Sequence, residues 1–502
     1  MAFDPASPAL ILGVVGAGTM GRGIAQIAAA AGIDVRLTDA RVGAADEARA
    51  FIAKMVERQV EKGLAADARA IERLQITDSA GLAPCDLVVE AIVEDLSAKR
   101  RLFADLEQVV RADAVLATNT SSLSVSAIAA ACARPERVAG WHFFNPVPLM
   151  KLVEVVPGQH TAEAVVEALQ ALALRMGHRP VRATDSPGFL VNHAGRGYGT
   201  EALRILAEGV ASPVEIDRIL REAAGFRMGP FELFDLVGID VTHAVMESIY
   251  RQFYDEPRFR PQPLLRRYVD AGLLGRKSGA GFYRYLGGRQ EIPAEAPPPA
   301  AAQRPIWIGA DEEDRPALRQ LLAAGGSPLD DAKTPGQDSV CLVAALGSDA
   351  THAALAQGLD ARRTVAIDPL FGFAGRLTLM VTPVTGRAAL DGAHAALAAS
   401  RPVSVIRDSV GFVAQRVAAH IVNIGCDIAQ QRIASAADID AAVRLGLGYP
   451  KGPLELGDAL GAGKILAILR GLQDAYGDPR YRPSPWLERR AALGVSLTAD
   501  DP

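Results

Sequence analysis

The stretch Leu10-Ile11-Leu12-Gly13-Val14-Val15-Gly16-Ala17-Gly18-Thr19-Met20-Gly21, continued by Arg22–Ala31, Gly32, Ile33–Leu37 and Asp39, decides the fold. The apolar run Leu10–Val15 has the character of a buried parallel strand. A glycine turn follows it. Arg22–Ala31 is small and helix-competent, Gly32 closes that helix, and Ile33–Leu37 is the next strand. A strand, tight turn, helix and strand with an acid about 20 residues past the glycines form the dinucleotide-binding fingerprint. In it Gly16 permits the turn, Gly18 lets the backbone approach a pyrophosphate, and Gly21 lets helix and sheet pack closely. Thr19 and Met20 open the helix, whose N-terminus offers N–H donors and a positive dipole end. Asp39 accepts hydrogen bonds from a ribose and repels a 2′-phosphate, which favours NAD over NADP. Arg41, two residues on, weakens that preference.

Outward from this unit, Asp86–Ala91, Ala114–Thr118, Arg137–Phe143 and Lys151–Val156 are further apolar strands, and Gly63 ends a long charged helix. Strands alternate with helices to about residue 184, which predicts an α/β Rossmann-like domain over 1–184. From Asp185 the pattern becomes helical, giving an all-α domain over 185–286. A Pro/Ala-rich segment around Ile292–Ala300 reads as a linker spanning 287–305.

An internal repeat accounts for the remainder. Asp185-Ser186-Pro187-Gly188-Phe189 recurs as Asp408-Ser409-Val410-Gly411-Phe412. Gly229-Pro230-Phe231-Glu232-Leu233 recurs as Gly452-Pro453-Leu454-Glu455-Leu456, and Asp217 recurs as Asp440 at the same offset. The repeat predicts a second copy of the helical domain over 406–502. Before it, Ile306–Gly309 and Cys341–Leu346 read as strands of a reduced Rossmann-like unit over 306–405 without a glycine motif.

Composition narrows the class. The 502 residues are 49% hydrophobic and 22% charged, with a net charge of −5, as in an ordinary globular protein of several domains. That balance advertises neither a nucleic-acid nor an anionic-membrane partner. Cys85, Cys132, Cys341 and Cys426 form no CxxC pair, which argues against a metal site and fits a reducing compartment. No apolar window is long enough to span a membrane. Asp4 stands in an N-terminus with no basic residue before Arg22, unlike a signal peptide. The expected location is the cytoplasm.

After the glycine unit, five segments follow in order: Ala91-Ile92-Val93-Glu94, Asn119-Thr120-Ser121-Ser122, His142-Phe143-Phe144-Asn145-Pro146, Lys151-Leu152-Val153-Glu154-Val155, and Asp185 through Asn192. With Gly16–Asp39 they resemble the L-3-hydroxyacyl-CoA dehydrogenase family. The resemblance covers residues 10–285 and resumes through the repeat, and the long two-copy form is similar to bacterial 3-hydroxyadipyl-CoA and 3-hydroxybutyryl-CoA dehydrogenases. It implies an NAD-dependent oxidation of a 3-hydroxyacyl-CoA.

The residues read one by one agree. Oxidising a secondary alcohol needs a base for the hydroxyl proton. His142 is the best candidate, because imidazole titrates near neutrality. Glu154, on a neighbouring strand, can hold the other ring nitrogen. Ser121 lies in a polar turn at the carboxyl end of the sheet, where ligands bind. The resemblance gives Ser121 and Asn192 the role of hydrogen-bonding the substrate oxygen, and places Glu94, Lys99 and Asn119 near the nicotinamide. Lys62, with Lys54 and Arg58 on its face, falls where the family meets the phosphates of coenzyme A; a solvated basic face is the other reading. The Asn119–Ser122 turn also suits a helix N-cap, with Ser122 or Ser124 before Val125, and Asn192 could equally cap a helix.

Aligned on Pro157 and Pro383, the second half places Asp368 opposite His142, Met380 opposite Glu154 and Gln415 opposite Asn192, so one active site per chain is expected. A rival is a dehydrogenase of the β-hydroxyacid type, which uses a lysine early in the helical domain, but no lysine occurs between Lys151 and Lys277. Another is a non-catalytic NAD-binding relative with an interaction or regulatory role. The duplicated helical domain predicts an intrachain pseudo-dimer, with at most a weaker homo-oligomer.

Overall fold

The computed structural model of the chain describes residues 3–61, 68–309, 311–499 and 501. The first sheet has eight strands: Ile11–Val15 (β1), Asp34–Thr38 (β2), Leu74–Ile76 (β3), Leu87–Glu90 (β4), Val115–Thr118 (β5), Val138–Phe143 (β6), Leu152–Pro157 (β7) and Arg179–Arg182 (β8). Their order is β3-β2-β1-β4-β5-β6-β7-β8. Every neighbouring pair is parallel except β6–β7. Helices Thr19–Ala30 (α1), Ala44–Glu61 (α2), Leu96–Val109 (α3), Val125–Ala129 (α4) and Glu163–Arg175 (α5) connect them. Leu12, Val14, Ile24 and Leu37 are fully buried, because both faces of a parallel sheet carry helices. The strand order reverses between β1 and β4. Val15 and Glu90 therefore border the crevice where doubly wound sheets bind ligands.

Beyond β8 come Val191–Ala194 (α6), Arg196–Ala207 (α7), Pro213–Glu222 (α8), Pro230–Val237 (α9), Ile239–Gln252 (α10) and Pro263–Asp270 (α11). Arg284–Leu286 (β9) and Arg289–Glu291 (β10) form a hairpin. The first residues of the expected 287–305 linker thus belong to this hairpin. The segment after them is not a free tether: the Pro293 carbonyl accepts a 2.6 Å bond from Arg218, and Glu295 pairs with Arg376 at 2.7 and 2.9 Å. Arg376 is only 2% exposed, and a buried guanidinium needs such a partner.

The second sheet has six strands: Ile306–Gly309 (β11), Leu329–Asp330 (β12), Val340–Ala344 (β13), Thr364–Ile367 (β14), Leu377–Val381 (β15) and Val403–Arg407 (β16). Their order is β12-β11-β13-β14-β15-β16 with β14–β15 antiparallel. Its helices are Arg315–Ala324 (α12), Ala350–Ala356 (α13) and Arg387–Ala398 (α14). The second helical copy is Val413–Gln430 (α15), Ala436–Leu447 (α16), Pro453–Leu460 (α17), Ala462–Tyr476 (α18) and Pro485–Leu493 (α19).

Conserved spacing between the copies has structural causes. Asp185 caps α4 through the amides of Val125 and Ser126, at 2.9 and 2.8 Å, and Asp408 bonds the Ala350 amide of α13 at 2.8 Å. β13 thus corresponds to β5. Among the described residues, the second sheet has no counterpart of β4 and α3 between β11 and β13. Asp217 is fully buried and accepts from the Phe231 and Glu232 amides and the Tyr283 hydroxyl. Burial pushes its carboxyl up to about 7. Gly197 lets α7 and α15 touch: a Cβ there would lie 3.1 Å from the Ile421 α-carbon.

The chain divides into two compact units, 1–193 with 431–447 and 194–430 with 448–502. The division crosses the repeat. Helix α16 of the second copy packs on the first sheet, where the Thr184 amide donates to the Ile433 carbonyl at 2.9 Å. Helix α8 of the first copy packs on the second sheet, and the matching bond runs from the Arg407 amide to the Val210 carbonyl at 3.0 Å. No described helix is long and apolar enough to cross a membrane, and all four cysteines are free.

Candidate active site

The glycine turn is closed toward the protein and open away from it. Gly16 has φ +103, and a Cβ there would stand 2.5 Å from the Ala91 carbonyl oxygen. A Cβ on Gly21 would fall on the carbonyl oxygen of Gly16, whereas nothing lies within 4 Å of the Cβ position of Gly18. Helix α1 starts at Thr19 with Gly18 as its cap and no side-chain bond, so Thr19 and Met20 form an uncapped first turn whose amides suit a pyrophosphate. Asp39 closes β2. Its carboxylate accepts from the amides of Ala17 at 2.7 Å and Arg41 at 2.8 Å. The Arg41 guanidinium is turned onto Glu47, at 3.0 and 2.7 Å. This donor set fits a dinucleotide.

A buried charge cluster lies under the serine turn. Lys99 is 1% exposed and bonds Glu90 at 2.6 Å and Glu94 at 3.3 Å. Glu90 also accepts from the Thr118 hydroxyl at 2.8 Å and the Ile92 amide at 2.7 Å. Glu94 accepts from the amides of Ser121 and Ser122 at 2.9 and 3.0 Å and from the Thr120 hydroxyl at 2.7 Å. Burial would raise the Glu94 carboxyl, but Thr120, Lys99 and the serine turn together hold it below its ordinary value. Lys99 therefore shapes the turn from behind. Asn119 ties β5 to β6 by accepting from the Phe143 amide at 2.9 Å. Ser124, rather than Ser122, supplies the side-chain cap of α4.

The β6–β7 ladder sets His142 directly opposite Glu154. His142 Nδ1 lies 2.6 Å from Glu154 Oε2, with both side chains buried. A carboxylate only accepts, so Nδ1 carries the proton and Nε2 the lone pair. The other carboxylate oxygen, Oε1, accepts from the amides of Leu190 and Val191 at 3.0 and 2.7 Å. Phe144 and Phe189 flank the imidazole with ring centroids 4.4 and 5.9 Å away. The Asn192 amide nitrogen stands 3.5 Å from the Ser121 carbonyl. The structure thus brings Ser121, His142, Glu154 and Asn192 into one unit with the glycine turn. Lys62 lies outside the described residues. Glu90, Thr118, Phe144 and Phe189 were not singled out from the sequence. The apolar runs containing Glu90 and Phe144 concealed them, although an acid inside a predicted strand, as Glu90 is, is itself a signal of a buried partner.

The second unit differs at each corresponding place. Its ladder pairs Ala366 with Met380. The register therefore puts Ala366 in the position of His142, and Asp368 lies two residues beyond, which corrects the alignment drawn on the prolines. Gln415 is tied down beside it, donating to Asp368 Oδ1 and the Ala345 carbonyl and accepting from the Gly347 amide, all at 2.8 Å. Burial pushes the Asp368 carboxyl up to about 6.

An open glycine turn at a sheet crossover, with an imidazole–carboxylate pair in the same unit, defines a nucleotide-dependent dehydrogenase of the doubly wound class. Comparison with known proteins agrees. Residues 11–186 match the 3-hydroxyacyl-CoA dehydrogenase NAD-binding domain, and 188–285 and 411–498 each match the C-terminal domain of that family. The chain is 41% identical to 3-hydroxyadipyl-CoA dehydrogenase of Escherichia coli over 96% of its own length and 97% of that protein. It is 44% identical to a probable 3-hydroxybutyryl-CoA dehydrogenase of Deinococcus radiodurans over 54% of its length and 99% of that protein. A crystal structure described as 3-hydroxybutyryl-CoA dehydrogenase from Escherichia coli superposes with a TM-score of 0.84 at 39% identity, covering 97% of this chain and 98% of that one. The chain belongs to the 3-hydroxyacyl-CoA dehydrogenase family, as an NAD-dependent oxidoreductase.

Proposed function

We propose that His142 is the general base for oxidation of an L-3-hydroxyacyl-CoA to its 3-oxoacyl-CoA, and that Glu154 orients it. The 2.6 Å contact between His142 Nδ1 and Glu154 Oε2 carries this reading. It leaves Nε2 to take the hydroxyl proton, and the carboxylate steadies the imidazolium that results. Ser121 and Asn192 hydrogen-bond the substrate oxygen as it changes from hydroxyl to carbonyl. Bound NAD supplies the hydride acceptor. Gly16, Gly18, Thr19, Met20, Gly21 and Asp39 hold its adenosine and pyrophosphate, with Glu94, Lys99 and Asn119 at the nicotinamide side. Lys62 meets coenzyme A phosphate. Reduction of acetoacetyl-CoA by NADH, followed by absorbance, tests the reaction, and its absence would leave the non-catalytic reading.

For the acyl group we favour 3-hydroxyadipyl-CoA over 3-hydroxybutyryl-CoA. The curated relative named for adipyl matches nearly the whole chain, second half included; a crystal structure described as a butyryl enzyme does so too, while the curated butyryl relative from Deinococcus matches only the first half. The setting that fits is cytoplasmic catabolism of phenylacetate or fatty acids. A comparison of kcat/KM for the two esters decides it; a tenfold preference for butyryl overturns the choice. The helical copies serve as an intrachain pseudo-dimer, supported by the direct contact of α7 with α15, and a homo-oligomer, if formed, is weaker.

A further inference from the structure

The helix that backs the catalytic strand comes from the copy that has no base. Helix α16 is fastened to the β8 edge by the Thr184–Ile433 backbone bond, by Asp438 accepting from the Arg182 amide at 3.3 Å, and by Arg179 at 3.4 Å from Asp438. Near its far end Gly446 has no side chain. A Cβ there would stand 3.0 Å from Leu152 Cδ2 and 3.1 Å from both γ-carbons of Val191. Leu152 and Val191 are fully buried. Both lie beside the pair that carries the chemistry. Leu152 opens β7, the strand of Glu154. Val191 donates its amide to Glu154 Oε1 at 2.7 Å, while Oε2 holds His142.

We infer that α16 is a positioning element for the base, so that the second helical copy completes the active site of the first. At Gly446 the α16 backbone leaves no room for a side chain against Val191, Val191 donates to Glu154, and Glu154 holds His142. Close-packed interiors transmit such a displacement instead of absorbing it. The inference rests on the assignment of His142 and Glu154 as base and orienter. The mirror contact supplies a control. Helix α8 meets the second sheet where a Cβ on Gly375 would strike the Glu222 carbonyl oxygen, and Glu215 accepts there from the Ser404 hydroxyl at 2.6 Å. That docking backs the Ala366–Met380 pair, which has no chemistry to position.

The test uses the full chain with acetoacetyl-CoA and NADH. Gly446→Val is expected to lower kcat at least tenfold with the KM for NADH within twofold. Adding Val191→Ala, which removes the atoms the new side chain meets, is expected to restore kcat to within threefold. Gly375→Ala, which must displace the Glu222 carbonyl and is checked for folding by circular dichroism, is expected to leave the kcat of its folded fraction unchanged. Should Gly446→Val fail to fold by circular dichroism, Gly446→Ala replaces it, with an expected fall of at least threefold and the same rescue. A Gly446 variant with wild-type kcat, a loss not restored by Val191→Ala, or an equal loss in Gly375→Ala overturns the inference. His142→Gln is run alongside. If that variant keeps its turnover, the assignment of the base has failed rather than the role of α16.

Discussion

The two halves of this chain share one plan and differ where the proposed site lies. What both retain is scaffolding. Asp185 and Asp408 bond the first turns of equivalent helices, and Glu232 and Glu455 reach back to Gly229 and Gly452 at 3.0 and 3.4 Å. What only the first half retains is chemistry: the open glycine turn, β4 with Glu90, the Lys99 cluster, and an imidazole in the ladder where the second half has Ala366. Gln415 shows the other outcome: at the repeat position of Asn192 it is bonded to Asp368 and to the backbone at Ala345 and Gly347. Repetition between halves therefore marks fold, and departure from repetition marks function.

The sharpest way to break this comparison is to remove the second half. A chain ended near residue 290 loses α15, the partner of α7, and α16, the cover of β7 and β8. Both losses expose apolar surface. The expected product is insoluble or an obligate homodimer, judged by light scattering, with turnover abolished in any monomeric fraction. A soluble, active monomer as heat-stable as the whole chain would show that the halves are independent. Within the first half, His142→Gln is expected to lower kcat by about 10²–10⁴ with NADH binding little changed. Asp368→Asn in the second half is expected to leave kcat within twofold, and a larger fall would mean that the second unit takes part in turnover.

Much of this contrast could be read from residues alone, and the parts that could not have physical reasons. The glycine unit was legible because Gly16 and Gly21 answer backbone demands that no other residue meets, and Gly18 leaves open ground for a ligand. The His142–Glu154 pair was legible because two apolar strands flank it and a base needs an orienter. The repeat was legible from its constant offset. The exchange of α8 and α16 was not, because nothing local records which sheet a helix covers. Nor was the two-residue shift of Asp368, since proline anchors fix one strand of a ladder and not the register of the next. The helix break at Gly195 is a mixed case. The equivalent residue is Ala418 in an unbroken α15, whereas in the first copy the interruption separates α6, with Asn192, from α7. The glycine was visible; its use was not.

The interface between the helical copies is itself asymmetric. Glu201 of the first copy is fully buried against Arg416 at 2.8 Å and Arg480 at 3.2 Å, both of the second, with the Tyr481 hydroxyl at 2.9 Å. The repeat offset puts Ile424 in the place of Glu201, so the cluster occurs once and matches one copy to the other. Burial alone would raise the Glu201 carboxyl, but Arg416 and Arg480 bring it down to about 2. Its ordinary value is about 4.3. A carboxyl depressed in the folded state stabilises above the unfolded value and loses that contribution as pH falls through the folded one. Wild-type stability is thus expected to drop between about pH 4.5 and pH 2. Glu201→Gln is expected to cost about 3–5 kcal/mol at pH 7, leaving buried Arg480 without its carboxylate and Arg416 with Glu208 alone. The gap to wild type should shrink as pH falls, as read by denaturant titration at several pH values. A gap constant with pH would mean that the cluster contributes shape rather than charge.

A smaller effect than that of Glu201 sharpens the comparison at the glycine turn, which the second half lacks. Asp39→Ala removes the acceptor for a ribose and the charge that repels a 2′-phosphate. It also frees the Ala17 amide that the carboxylate holds at 2.7 Å. NADH should bind about tenfold more weakly, a change of about 1.4 kcal/mol, and NADPH should bind no worse or better, so that discrimination between them narrows. Arg41 decides how far. Its pair with Glu47 is well exposed, at 62% and 67%, and such pairs are weak. Little therefore keeps the guanidinium from a 2′-phosphate once Asp39 is gone. Adding Glu47→Gln to Asp39→Ala should release Arg41 and tighten NADPH further, as read by quenching of protein fluorescence. A double variant with no gain for NADPH would show that Arg41 cannot reach the ribose. A wild-type preference for NADPH would overturn the role given to Asp39, because its carboxylate would then face a phosphate of like charge.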